Sequence, residues 1–224
     1  MTSRWMRIRY EWTVLKSPNL GLVPLALLLL GLTHGVLELA SRWDRHFIEN
    51  MESFFPLAIA LTTVPLGIID REAGVLEHEM TLPLAAITGW RLAILWTVLW
   101  AEILIGVAIL DKLWGPVPFW AGVFAALGPA LWLSALGLWA TLIFPRVAFG
   151  YLVILALPVT DLILRVLGAF NAIPGLQLID LFAYRWNIPA VPWPWVKTVM
   201  GVVGLVGLTM AIRWRRRWVE RAFL

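Results

Sequence analysis

Apolar residues gather along this chain in six long stretches: Leu20–Leu39, Ser53–Ile69, Leu92–Leu110, Phe119–Phe144, Val147–Val166 and Trp195–Ile212. A helix rises about 1.5 Å per residue, so about 20 apolar residues cross the roughly 30 Å hydrocarbon layer. Ser53–Ile69 is short for this and draws on its flanks. Phe119–Phe144 is long and is expected to tilt, or to kink at Pro129. Backbone inside hydrocarbon has no water to bond, which predicts six helices. Before the first stretch, Trp5, Ile8, Trp12 and Leu15 recur at helical spacing among Arg4, Arg7 and Glu11. That pattern predicts an amphipathic helix over residues 1–17, lying in the interface and broken by Pro18. Between the fifth and sixth stretches, residues 167–194 mix Pro174, Pro189, Pro192 and Pro194 with Phe170, Leu181 and Trp186. This segment is too broken to cross and too apolar to float, so short re-entrant helices in the outer leaflet are expected. The predicted fold is an all-α polytopic membrane protein, a single domain over residues 1–224.

Composition agrees. The chain is 61% hydrophobic and 14% charged, where a soluble domain is about 45–50% apolar and about 25% charged. It has no cysteine, hence no disulfide framework and no thiolate metal site. The net charge of +4 does not point to nucleic acid, because the basic residues sit at span ends rather than on one solvated face. Six spans put both termini on one side, and twelve of the eighteen Lys and Arg residues fall there, from Arg4 to Arg221. Arg42, Arg45, Lys112, Arg165, Arg185 and Lys197 fall opposite. The positive-inside bias predicts a multi-pass protein of the cell membrane with both termini cytoplasmic. Trp90 and Trp214 mark the inner boundary, and Trp43, Trp114, Trp120, Trp193 and Trp195 the outer one. The basic start before Leu20–Leu32 looks like a signal peptide, but the leader is long and Glu38 stands where cleavage wants a small residue. A retained span is expected.

The most distinctive segment is the charged run between the second and third stretches, Asp70-Arg71-Glu72-Ala73-Gly74-Val75-Leu76-Glu77-His78-Glu79-Met80-Thr81-Leu82-Pro83-Leu84. Leu76, Met80 and Leu84 repeat every four residues, and Glu72, Glu77 and Glu79 add negative charge. A short helix with one apolar side and acidic flanks suits a cleft in a partner protein. Pro83 sits in its last turn or ends it. An ordinary surface loop is the alternative.

The acidic start, the glycine, the Leu-Glu pair and the Leu-Pro before the basic Arg91 resemble the ABC-2 type exporter permeases, in which a similar "E-x-G-x-L-E … x-P" stretch follows the second span. Glu72, Gly74, Leu76, Glu77 and Pro83 take the motif positions, while His78 and Glu79 have no place in it. The resemblance implies a six-helix permease subunit with an interfacial N-terminal helix, a cytoplasmic coupling loop over residues 70–90, and short re-entrant helices before the sixth span. It also implies two copies of a separate ATP-binding subunit and a second permease subunit, in a homo- or heterodimer. Glu72, Gly74, Leu76, Glu77, Glu79, Met80 and Pro83 are then the ATPase-coupling residues.

Glu102, Asp161 and Arg165 are charges within the spans that suggest a role. Glu102 is eleven residues past Arg91, roughly 16 Å along a helix and close to mid-membrane. An ionisable group at that depth faces a bundle interior or a watery path, and is a candidate gate or cargo contact as well as a structural acid. Asp161 and Arg165 are four apart on the fifth span, so one side of the helix brings them together; Asp161 is expected to hold an Arg165 that snorkels outward. Gly122, Ala126, Ala130 and Ser134 form a small-residue stripe on the fourth span, and Gly201, Gly204 and Gly207 form one on the sixth. Close helix packing is their expected role.

No phosphate-binding loop, H-e-x-x-H pair or G-x-S-x-G elbow occurs in the sequence. The expected function is therefore that of a non-enzymatic permease without cofactors, surrounded by membrane lipid and energised by a partner ATPase. Few charges line the spans, while Trp96, Trp100, Trp132 and Trp139 lie inside them, so a hydrophobic or amphipathic cargo is expected: a lipid, drug-like compound or peptide. A proton-coupled secondary transporter using Glu102 and Asp161 is the alternative; a membrane enzyme fits less well, for want of a catalytic constellation.

The topology is directly testable in this cysteine-free background. Single changes His78→Cys, Arg146→Cys and Trp218→Cys are expected to label only from the cytoplasm, and Arg45→Cys, Lys112→Cys and Arg185→Cys from outside. Cytoplasmic labelling at 112 would remove the six-span arrangement.

Overall fold

The computed structural model describes residues 18–37, 43–68, 84–173, 175–186 and 191–222. Each apolar stretch is helical within them: α1 (Leu22–Leu37), α2 (Trp43–Thr63), α3 (Leu84–Trp114), α4 (Phe119–Ile143), α5 (Val147–Val166) and α6 (Trp193–Ala222). No strand occurs among the described residues. Four helices, α3 to α6, are long and apolar enough to cross a membrane, which suggests a membrane-embedded protein. The apolar helix Asn19–Thr33 is shorter. α2 begins ten residues before the apolar stretch Ser53–Ile69, so its first half carries Asp44, Arg45, Glu49 and Glu52. Its second half ends in a 3-10 turn, Val64–Gly67. The expected interfacial helix over 1–17 lies outside the described residues.

Contacts between helices fix their directions. Gly122 of α4 lies against Phe47 of α2, and Gly137 against Val64, so these helices run parallel. Gly128 meets Lys197 of α6 and Trp139 bonds the Gly207 carbonyl, again in parallel. Gly106 of α3 meets Leu27 of α1, and Gly31 of α1 meets Leu110 of α3, a third parallel pair. Asn19 donates to the Leu61 carbonyl at 3.2 Å, and Thr33 contacts His46, so α1 and α2 are antiparallel. α5 runs against α4, with Gly150 near Thr141. The six helices thus alternate. One end of the molecule holds the starts of α1, α3 and α5, with Trp90, Arg146, Arg213 and Trp214. The other holds Trp43, Trp114, Trp120 and Trp195.

α4 is the hub. In its most apolar stretch 61% of the residues are buried, against 22% in α3, 17% in α5 and 33% in α6. Its small residues allow this: Ala126, Ala130 and Ser134 are fully buried. A side chain on Gly128 would sit 2.2 Å from the Lys197 carbonyl oxygen, and one on Gly204 would sit 2.5 Å from the α4 backbone at Leu131. Both small-residue stripes therefore serve packing. α4 continues through the buried Pro129. Hydroxyls in the helices satisfy themselves on the carbonyl four residues back, as with Thr97 to Ala93 at 2.8 Å and Thr209 to Leu205 at 2.8 Å. Such threonines tolerate an apolar exterior.

The connections are tight. Between α3 and α4, Gly115 adopts a φ of 101°, which a β-carbon resists, and Asp111 accepts from the Val117 N–H at 3.2 Å. α4 and α5 are joined through Phe144–Arg146, with Phe144 stacked on Phe149 at 4.7 Å. After α5 come the short helical turns Ala169–Ala172, Leu176–Ile179 and Ala183–Trp186.

Gly128→Val is expected to cost at least about 1–3 kcal/mol of overpacking, because backbone is what it strikes. At Gly89 on α3 nothing lies within 4 Å of an added β-carbon, so Gly89→Ala is expected to be neutral or to gain up to about 1 kcal/mol. Unfolding in detergent distinguishes the two.

Candidate functional site

Residues 180–182 are neither helix nor strand and lead into the one-turn helix Ala183–Trp186, yet much of the turn at 180–185 is shielded from solvent. Leu181 and Ala183 are 4% exposed and Asp180 is fully buried. A backbone in that position must find acceptors for its N–H groups. Carboxylates supply them. Leu181 N–H donates to Asp161 Oδ1 of α5 at 3.2 Å, and Phe182 N–H to Asp180 Oδ1 at 2.9 Å. Tyr184 and Arg185 N–H groups donate to the two oxygens of Glu52 on α2, at 2.8 and 3.1 Å.

Two cations complete the cluster. Lys197, four residues into α6, places Nζ 2.7 Å from Glu52 Oε1, with both side chains wholly buried. The same Nζ donates to the Leu181 carbonyl at 2.6 Å. Arg165 of α5 pairs with Asp180 and lies 4.8 Å from the centre of the Phe170 ring. α2, α5, α6 and the 180–185 turn are thereby tied at one point. On the rim, Glu49 meets Arg45 at 2.7 Å and Arg185 at 3.7 Å. Burial pushes the Tyr184 phenol above its ordinary range, so it stays neutral, edge-on to Trp193 at 5.2 Å.

Among the residues singled out in the sequence, Asp161 and Arg165 both join this cluster. Their spacing predicted that Asp161 holds Arg165; Arg165 pairs with Asp180, fifteen residues on in the segment after α5. Asp161 accepts the Leu181 N–H. Glu102 lies apart on α3, half-exposed at the edge of the buried stripe Leu95, Leu99, Ile103 and Val107; its Oε2 is shielded and has no hydrogen bond among the described residues. Glu72, Gly74, Leu76, Glu77, Glu79, Met80 and Pro83 lie outside the described residues, which resume with α3 at Leu84.

Sequence reading missed Glu52, Asp180 and Lys197, and it counted Lys197 as a boundary charge. The available signal was a lone lysine inside the sixth apolar stretch, which has to pair when buried. The internal tryptophans act partly as staples: Trp96 donates to Thr63 Oγ1 at 3.2 Å and Trp139 to the Gly207 carbonyl at 3.0 Å. No group of three or more His, Asp or Glu side chains among the described residues is placed to hold a metal ion. No family model, curated protein or solved structure matches the chain.

Lys197→Met strands Glu52 as a buried charge and is expected to cost roughly 3–5 kcal/mol. Adding Glu52→Gln should recover part of that loss, since the amide oxygen still accepts one N–H from the turn. A double-mutant cycle on unfolding in detergent measures the coupling, and strict additivity would show that the pair is not what ties α2 to α6.

Proposed function

We propose that the chain is the membrane-spanning permease subunit of an ATP-driven exporter in the cell membrane, with six spans and both termini cytoplasmic. It moves a hydrophobic or amphipathic cargo and is energised by a separate ATP-binding subunit, present in two copies, beside a second permease subunit. The observation that carries this reading is the acidic stretch between Ile68 and Leu84, which resembles the coupling segment of ABC-2 exporters. The alternating helix directions support it: they put Ile68 and Leu84, the residues on either side of that stretch, at the end where Arg146 and Arg213 also lie. In the six-span arrangement α1 and the second half of α2 cross as well. The first half of α2 then belongs to the polar cluster near the outer surface, and the 180–185 turn is part of the re-entrant segment.

A proton-coupled secondary transporter is the second reading. It draws on Glu102 and Asp161, each with one shielded carboxylate oxygen that has no hydrogen bond among the described residues. Glu102→Gln removes ionisability and little volume, so it is expected to abolish transport in that case and to spare ATP-driven export.

The coupling reading is tested with Leu76→Ser and Met80→Ser together. Burying a leucine-sized side chain is worth about 1.5–3 kcal/mol, so losing two anchors weakens docking by about two to four powers of ten. The expected result is a permease that folds in detergent but neither retains the ATPase nor transports. Glu77→Lys is expected to weaken assembly in a salt-dependent way, since exposed charges are screened over about 8 Å at physiological salt. A complex whose ATPase rate, transport and subunit ratio survive the double change would make the stretch a plain connector.

A further inference from the structure

The buried cluster does not balance its own charge. Glu52, Asp161 and Asp180 supply three carboxylates; Lys197 and Arg165 supply two cations, which leaves one negative charge over. Glu52 spends both oxygens on Lys197 and the turn, and Asp180 spends both on Arg165 and Phe182 N–H. The imbalance falls on Asp161. Its residue is 5% exposed, Oδ1 accepts the Leu181 N–H, and Oδ2 is shielded with no hydrogen bond among the described residues. The rim charges do not settle it. Arg45 and Arg185 expose 64% and 48% of their side chains to solvent and pair with Glu49, while Asp44 is exposed on the same helix. An uncompensated carboxylate in a low-dielectric interior is costly enough that a counter-charge accompanies it.

We propose that the cluster binds one further monovalent positive charge at Asp161 Oδ2, and that this charge locks the 180–185 turn onto α5. The occupant carries a single charge because the surplus is one. A proton and an alkali cation both meet that chemistry. With the site filled, Asp161 holds Leu181 without repelling Asp180; with it empty, two adjacent carboxylates push the turn away from the helices. The proposal rests on the cluster alone and is independent of the permease reading.

The test is unfolding of the full chain in detergent, with choline replaced by sodium, lithium or potassium at constant ionic strength, from mildly acidic to mildly alkaline pH. A bound alkali ion present at about 100 times its dissociation constant raises the midpoint by roughly 5–10 °C, and Asp161→Asn abolishes that rise. A bound proton gives instead a midpoint that rises as the pH falls, no alkali effect, and an infrared band of a protonated carboxyl that Asp161→Asn removes. Should Asp161→Asn fail to fold, aspartate-labelled wild-type chain reads the carboxyl band directly. An ionised Asp161 in a protein indifferent to alkali cations, or a dependence that Asp161→Asn leaves unchanged, overturns the proposal and leaves water as the missing hydrogen-bond donor.

Discussion

A lysine removed entirely from water has to meet an anion, and that anion has to be fully bonded in its turn. Lys197 and Glu52 satisfy both demands at once. Neither the lysine nor the carboxylate is stable alone in the interior. Together they join α2 to α6 across the hub α4, and Glu52 uses its remaining capacity on two backbone N–H groups of the 180–185 turn. The Tyr184 and Arg185 N–H groups open the one-turn helix Ala183–Trp186 and have no carbonyl behind them, so the turn's position depends on carboxylates delivered from two other helices. The broken segment after α5 is held by charge as much as by apolar contact.

The rest of the architecture follows from how closely α4 admits its neighbours. Gly128 and Gly204 let the α4 and α6 backbones touch, Gly122 admits Phe47 of α2, and Gly137 and Gly150 admit Val64 and Ile154. In hydrocarbon, contact of this kind replaces the hydrophobic drive that water provides to soluble proteins. The outer helices α3 and α5 present leucines, isoleucines and valines instead, with Leu152, Ile105 and Val166 well exposed. Close packing at the hub and an apolar exterior are two results of one solvent.

Much of this was legible in the sequence. The α5 boundaries coincide with the apolar run Val147–Val166, α4 differs from its run by one residue, and the small-residue stripes announced close helix packing, though not which helices meet. Periodicity works there because a lipid-facing helix has no other means of hiding its backbone. It failed at α2, where the helix starts at Trp43 among charges that an apolar count rejects; Glu49 and Glu52 among them meet partners more than a hundred residues away. Long-range pairing leaves no local pattern, so Glu52, Asp180 and Lys197 were invisible as a set. Asp161 and Arg165 were visible because they lie four apart, but spacing along one helix says nothing of a competitor such as Asp180. The acidic motif before α3 rests on its resemblance alone.

α2, α4 and α6 run side by side in the same direction, and each carries a peptide dipole, positive at its N-terminal end and negative at its C-terminal end. Lys197 sits in the first turns of α6, at the positive end of that dipole, where a cation is disfavoured. The Glu52 carboxylate beside it therefore answers the helix as well as the ammonium, and the lysine's place along α6 is one more reason that the two residues come as a pair.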